Sequence, residues 1–254
     1  LERVKFADHF SSRAREYSQY RPTYPPELFL WLAQLPPSQR QAWDVGTGSG
    51  QAAVALAAHF QAVIATDPAV AQLEAASRHA RVRYLHAAEQ CEAIEHQSLD
   101  LVSVAQALHW FDRERFFLEC ERVLRPGGVL AVWCYELQQI APQIDREIDW
   151  FYRERLGRYW PPERRFVERG YRDFEFPFDP CPAGSFAMQA RLTLPRLLGY
   201  IGTWSALVRA QAAEGVDPLP ELAARLEPIW GPVESQREVR WPLTVIARRK
   251  PQRA

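Results

Sequence analysis

Lysine is nearly missing from this chain. It occurs only at positions 5 and 250, so arginine supplies almost all of the positive charge. The 31 basic and 31 acidic residues cancel, and no field of one sign draws the chain to nucleic acid or to an anionic membrane. Cysteine is sparse too. Cys91, Cys120, Cys134 and Cys181 stand far apart with no CxxC pair, which speaks against a zinc site or a disulfide framework; no metal is expected. No stretch reaches the ~18 uninterrupted apolar residues of a membrane span. The opening run LERVKFADHFSSRAREYSQY is charged and amphipathic, without the apolar centre of a signal peptide. A reducing cytoplasm is therefore the expected compartment.

What is present is an alternation. The 254 residues are 47% hydrophobic, which suits one α/β domain with insertions. Strand patterns at Gln41–Gly46, Ala62–Asp67, Val82–His86, Leu99–Ala105 and Val129–Tyr135 are separated by helical patterns, among them Gln51–Phe60 and Ala69–His79. Asp112 has the place of an N-cap for a helix burying Phe116, Phe117, Cys120, Val123 and Leu124, and Arg125-Pro126-Gly127-Gly128 stops it. Single helices between strands predict a doubly wound, mostly parallel sheet. After Tyr135 proline and aromatic density rise, as in RYWPPERRF (158–166). Helices are expected near 144–155 and over Leu194–Val208, and strand alternation returns at Glu238–Arg248. The division expected is 1–35 as a covering helix, 41–135 as the binding core, 136–235 as an inserted lid and 236–250 as the final strand.

Asp44-Val45-Gly46-Thr47-Gly48-Ser49-Gly50 lies between the first strand and the first following helix. Glycines there let the turn tighten and let a ligand approach the backbone N–H groups. Asp67, beside Pro68, ends the next strand at the ~20-residue spacing of a carboxylate that accepts ribose hydroxyls. The loop reads GxGxG, not the GxGxxG of a dinucleotide site. Asp44 before it would repel a diphosphate and suit an amino group, and an adenosine joined to an ammonium-bearing amino acid is S-adenosylmethionine. Glu89, after the third strand, is placed to accept from the adenine amine or to be an ordinary loop glutamate.

DVGTGSG, ATDPA, HAAEQ, SLDLVSVAQALHWFD and RVLRPGGVLAVW, in that order, resemble the successive motifs of a class I S-adenosylmethionine-dependent methyltransferase of the type 11 kind. YSQYRPTYP (17–25), HWFD, AVWCY, GRYWPP and YIGTWSAL (200–207) resemble the trans-aconitate 3-methyltransferase-like subgroup. The resemblance implies a Rossmann-like seven-stranded sheet whose last strand is antiparallel. It also implies roles. Gly46, Thr47 and Gly48 would hold the methionine portion, Asp67 with Pro68 the ribose, Ala88 and Glu89 the adenine, and the carbonyl near Ala105 and Gln106 the ammonium. Tyr17 and Arg21 would close over the amino acid end. The acceptor implied is a small molecule, with carboxylate O-methylation of a small polycarboxylic acid as one form of the reaction.

A carboxylate is ionised at neutral pH and needs no base. It needs oriented donors and dry walls, and Tyr135, Tyr159, Trp160, Arg164, Arg165, Trp204 and Ser205 are of that kind. His109, beyond the fourth strand, reads first as a wall of the acceptor pocket, second as a packing residue and third as a general base for a phenol, amine or carbon acid. Trp110 is either core or wall. Three rivals stand beside methyl transfer: a nicotinamide oxidoreductase, which lacks its glycine pattern; a nucleic-acid methyltransferase, which lacks basic charge and an NPPY-type tetrapeptide; and a cofactor-binding regulator or scaffold without turnover.

Overall fold

Successive side chains of Leu124–Tyr135 enter opposite hydrophobic clusters. Val129, Ala131, Trp133 and Tyr135 go to one, and Leu130, Val132 and Cys134 to the other. A strand buried on both faces is what a sheet covered by helices on each side requires. The computed structural model describes residue 20 and residues 22–252, so the expectations placed on Tyr17 and Arg21 lie outside the described residues.

The strands are β1 (Gln41–Val45), β2 (Ala62–Asp67), β3 (Val82–His86), β4 (Leu99–Ala105), β5 (Leu124–Tyr135), β6 (Asp179–Pro180), β7 (Phe186–Leu192) and β8 (Arg237–Arg249). Their order is β3-β2-β1-β4-β5-β8, and the last lane is shared by β7 and the two-residue β6, which pair with different stretches of β8. The first five strands run parallel, and β8 enters antiparallel to β5, with Val129 opposite Arg249 and Tyr135 opposite Leu243. This is the doubly wound, Rossmann-like sheet expected from the sequence, in seven lanes with an antiparallel final strand.

Helices α1 (Pro26–Gln34) and α2 (Gln51–Leu56) pack on the face that holds Trp133; α3 (Val70–Ala75) follows β2. On the other face α4 (Arg113–Val123) buries Phe116, Cys120 and Val123. Asp112 caps it, its carboxylate accepting from the Arg115 N–H at 3.3 Å. The Arg-Pro-Gly-Gly stop became a bulge inside β5: Leu99 pairs with Leu124, but Leu101 pairs with Val129.

The rest comprises α5 (Pro142–Trp150), which runs into a π-helical turn at Phe151–Arg155, then α6 (Arg164–Glu168), α7 (Leu194–Gly202), α8 (Ser205–Glu214) and α9 (Leu219–Trp230). The single helix expected over 194–208 is two. The chain breaks at Thr203-Trp204, where Trp204 takes an extended conformation (φ −69°, ψ 133°) before α8 begins. Hydrophobic spacing hid the break, because Leu197, Tyr200, Ile201, Trp204 and Leu207 are buried on both sides of it. Among the described residues no helix is long and apolar enough to cross a membrane, and no cluster of His, Cys, Asp and Glu could hold a metal ion.

Candidate functional site

β1 and β4 are neighbours in the sheet although β2 and β3 separate them in sequence, so the winding reverses between them. At such a switch point the loops leaving the carboxyl ends part and open a crevice. The glycine loop follows β1 at this place. Gly46, Gly48 and Gly50 all take positive φ, at +67°, +54° and +79°. A Cβ on Gly46 would lie 2.8 Å from that of Ala107, while one on Gly48 would meet nothing nearer than Gln72 Oε1 at 3.8 Å. The loop is thus packed at its root and open at its middle, where backbone can be approached.

Two carboxylates hold this loop. Asp67 accepts from the Gly48 N–H at 2.9 Å and from the Ala69 N–H at 2.8 Å, tying the ends of β1 and β2 together beside Pro68. Asp44 is fully buried and accepts from the hydroxyls of Thr47 (2.6 Å) and Ser103 (2.8 Å). Burial outweighs those bonds and pushes its pKa up to about 6. Ala88 is exposed and Glu89 half-buried in the loop after β3. Gln106, just past Ala105, has φ +56°; its N–H reaches the Trp133 carbonyl at 2.8 Å and its Oε1 accepts from the Tyr135 N–H at 3.0 Å.

A cavity of about 70 Å³ adjoins these loop ends. One wall is Gln106, His109 and Trp110 after β4, and a second is Tyr135, Glu136 and Leu137 after β5. The far side is Trp160, Pro161 and Arg164 together with Tyr200, Trp204 and Ser205. Seven of the nine residues singled out from the sequence for the acceptor therefore converge: His109, Trp110, Tyr135, Trp160, Arg164, Trp204 and Ser205. Tyr159 does not line the cavity. Its hydroxyl donates to Glu214 at 2.6 Å, and Arg155 and Arg158 also bind that carboxylate, holding it down to about 2. Arg165 is likewise elsewhere, over the Phe166 ring at 4.8 Å.

Arg164 is fixed from behind. Its Nε donates to the Tyr152 hydroxyl at 2.7 Å, and its guanidinium lies 5.0 Å from the Trp160 ring centroid. The Tyr152 hydroxyl in turn donates to Glu168 at 2.7 Å, and the Trp160 indole N–H donates to the Tyr152 carbonyl at 3.0 Å. Tyr152 sits in the π-helical turn, so this irregular turn positions both Arg164 and Trp160. Among the described residues Arg164 has no acidic partner.

His109 is buried, and its Nδ1 lies 2.9 Å from the hydroxyl of Tyr171, itself fully buried at φ +58°. Burial first, and Arg164 second, lower the imidazole pKa to about 3. His109 is therefore neutral at pH 7. Tyr171, Tyr152 and Tyr200 were not foreseen; Tyr200 alone lay within a motif already singled out, YIGTWSAL.

A doubly wound α/β protein with a glycine cradle at its switch point and an aromatic cavity beside it is the class that fold and site define. The comparisons carry this further. Residues 43–132 match the model of a methyltransferase domain. A Dictyostelium discoideum protein named as a methyltransferase is 35% identical over 228 residues, spanning 88% of this chain and 86% of its own. A solved structure described as a type II methyltransferase, from Anaeromyxobacter dehalogenans, is 42% identical with a TM-score of 0.86, covering 91% of this chain and 99% of that one. A Saccharomyces cerevisiae protein named as an S-adenosylmethionine-dependent methyltransferase is 25% identical over 226 residues, 74% of this chain and 77% of its own. The chain belongs to the methyltransferase family.

Proposed function

We propose that the protein uses S-adenosylmethionine to methylate a small carboxylic acid on oxygen. The observation that carries the reading is the juxtaposition of a glycine cradle, braced by Asp44 and Asp67, with a cavity whose lining includes one guanidinium free of acidic partners among the described residues. The cradle fits the cofactor. Gly48 is open to approach, Asp67 at the end of β2 would accept from the ribose, and the buried Asp44 favours a cationic neighbour. When bound, S-adenosylmethionine would supply a methyl carbon on a sulfonium, with a neutral thioether as leaving group.

The chain's own part is to bind, orient and dry. The Arg164 fork would hold the acceptor carboxylate, and Trp160, Trp204 and Trp110 would exclude water from it. A carboxylate oxygen attacks without losing a proton, so no base is called for. His109 suits this. Tyr171 stays protonated because burial raises its pKa well above the usual phenol value. With its O–H donating to Nδ1 across the 2.9 Å contact, the imidazole hydrogen would be on Nε2. An imidazole in that state donates to an acceptor oxygen; with its pKa near 3 it is a poor base for a phenol or amine.

The test is incubation with radiolabelled S-adenosylmethionine and a panel of small acids, phenols and amines, followed by mild alkaline hydrolysis. Volatile label released as methanol from the acids supports the reading. Label retained on phenols or amines overturns it. Cofactor binding with no transfer to any acceptor would favour a regulator or scaffold.

A further inference from the structure

The acceptor cavity carries a charge count of its own. Arg164 is the one Lys or Arg side chain that lines it among the described residues, and Glu136 at its rim is acidic. Arg164 has already committed Nε to Tyr152, and its guanidinium carbon lies over the Trp160 ring, 5.0 Å from the centroid. What remains is the pair of terminal nitrogens, a fork with room for one carboxylate. The other surfaces are mostly aromatic or apolar: Trp110, Tyr135, Leu137, Tyr200 and Trp204. Trp160 and Trp204 lie 5.7 Å apart at 50°, forming a tilted pair of faces beside the fork.

Resting on the carboxylate reading above, we propose that the acceptor is a monocarboxylate with a flat, apolar body, such as an aryl or conjugated acid. A second carboxylate would be stripped of water against indole rings or brought toward Glu136, with no cation among the described lining residues to meet it. A flat apolar body instead gains from the same rings, which prefer offset or edge contacts with another π-system. His109, neutral and donating, adds a second donor for the same carboxylate without adding charge. The transfer balances without a proton: the new bond joins a carboxylate oxygen to the methyl carbon, the carbon–sulfur bond breaks, and its electron pair stays on sulfur.

The experiment compares benzoate and cinnamate with citrate and aconitate, by calorimetric titration in the presence of S-adenosylhomocysteine and by ester formation from labelled cofactor. The flat monocarboxylates should bind at least ~10-fold more tightly than the tricarboxylates and give the higher rate of ester formation. Arg164→Gln should remove at least ~10-fold of that monocarboxylate affinity while leaving S-adenosylhomocysteine affinity unchanged. The wild-type comparison stands even if that variant does not fold. Methyl esters formed preferentially on the tricarboxylates would overturn the monocarboxylate inference and leave carboxylate methylation intact. Transfer only to phenols or amines, or none to any acid despite cofactor binding, would overturn both.

Discussion

The two halves of the crevice are built by different means. The cradle after β1 and β2 is made of backbone: three positive-φ glycines, two amide N–H groups on Asp67, and one buried carboxylate beneath. The cavity after β4 and β5 is made of side chains from four stretches, 106–110, 135–137, 160–164 and 200–205. Backbone can be fixed by a short contiguous motif, whereas a side-chain wall needs each of its parts held from behind. The Tyr152–Arg164, Tyr171–His109 and Tyr159–Glu214 bonds are those supports. The cradle should therefore fail through its conformation and the cavity through its supports.

The largest effect is expected at Gly46. Gly46→Ala combines φ +67° with a Cβ 2.8 Å from Ala107, and should cost on the order of 3 kcal/mol in a urea unfolding curve. A stability within error of wild type would mean that the root of the cradle is not tightly packed. Asp67→Ala comes next. It removes the acceptor of two backbone N–H groups, and S-adenosylhomocysteine affinity should fall roughly 100-fold by calorimetry, as for the loss of charge-assisted bonds. Unchanged affinity would sink the ribose placement.

Tyr171→Phe acts on a support. It should raise the acceptor KM several-fold with kcat little changed, because the imidazole tautomer is no longer fixed while no proton transfer is lost. A collapse of kcat at constant KM would return His109 to the role of base. Glu214→Gln should be the mildest of the four. The carboxylate is partly exposed and shared between two arginines, so the denaturation midpoint should move least, and the difference from wild type should fade in ~1 M salt. A difference undiminished by salt would mean that the hydrogen bond from Tyr159, rather than charge, fastens the segment that carries Trp160.

The same contrast governs how much could be read beforehand. The sheet was legible because its strands alternate between two buried faces and its helices are short and single, and β8 was foreseen from its alternation. Asp44, Gly46, Gly48 and Asp67 were legible because the cradle's chemistry is local in sequence. The cavity was half legible. Tryptophans and arginines crowding after β5 indicate a lid, but composition does not say which way each one faces, and Tyr159 turned to Glu214 instead. Tyr171 was invisible: its partner His109 lies 62 positions away, and no periodicity links them. Tyr152 was hidden for a different reason, since a π-helical turn shifts side chains off the helical face that spacing assumes.

Asp44, pushed up to about 6 by burial beneath the cradle, would make the proposed binding of a cationic cofactor a proton-coupled event. A cation settling nearby lowers that pKa, so the carboxyl fraction still protonated must discharge into the buffer. As pH falls through 6 the group is increasingly neutral, and affinity for a cationic ligand should decline with it. Near pH 6 the heat of S-adenosylmethionine binding should vary with the buffer's ionisation enthalpy, by up to about half a proton's worth. By pH 8 that variation should be gone, and in Asp44→Asn it should be absent throughout. Heats independent of buffer at pH 6 would place the cation away from Asp44.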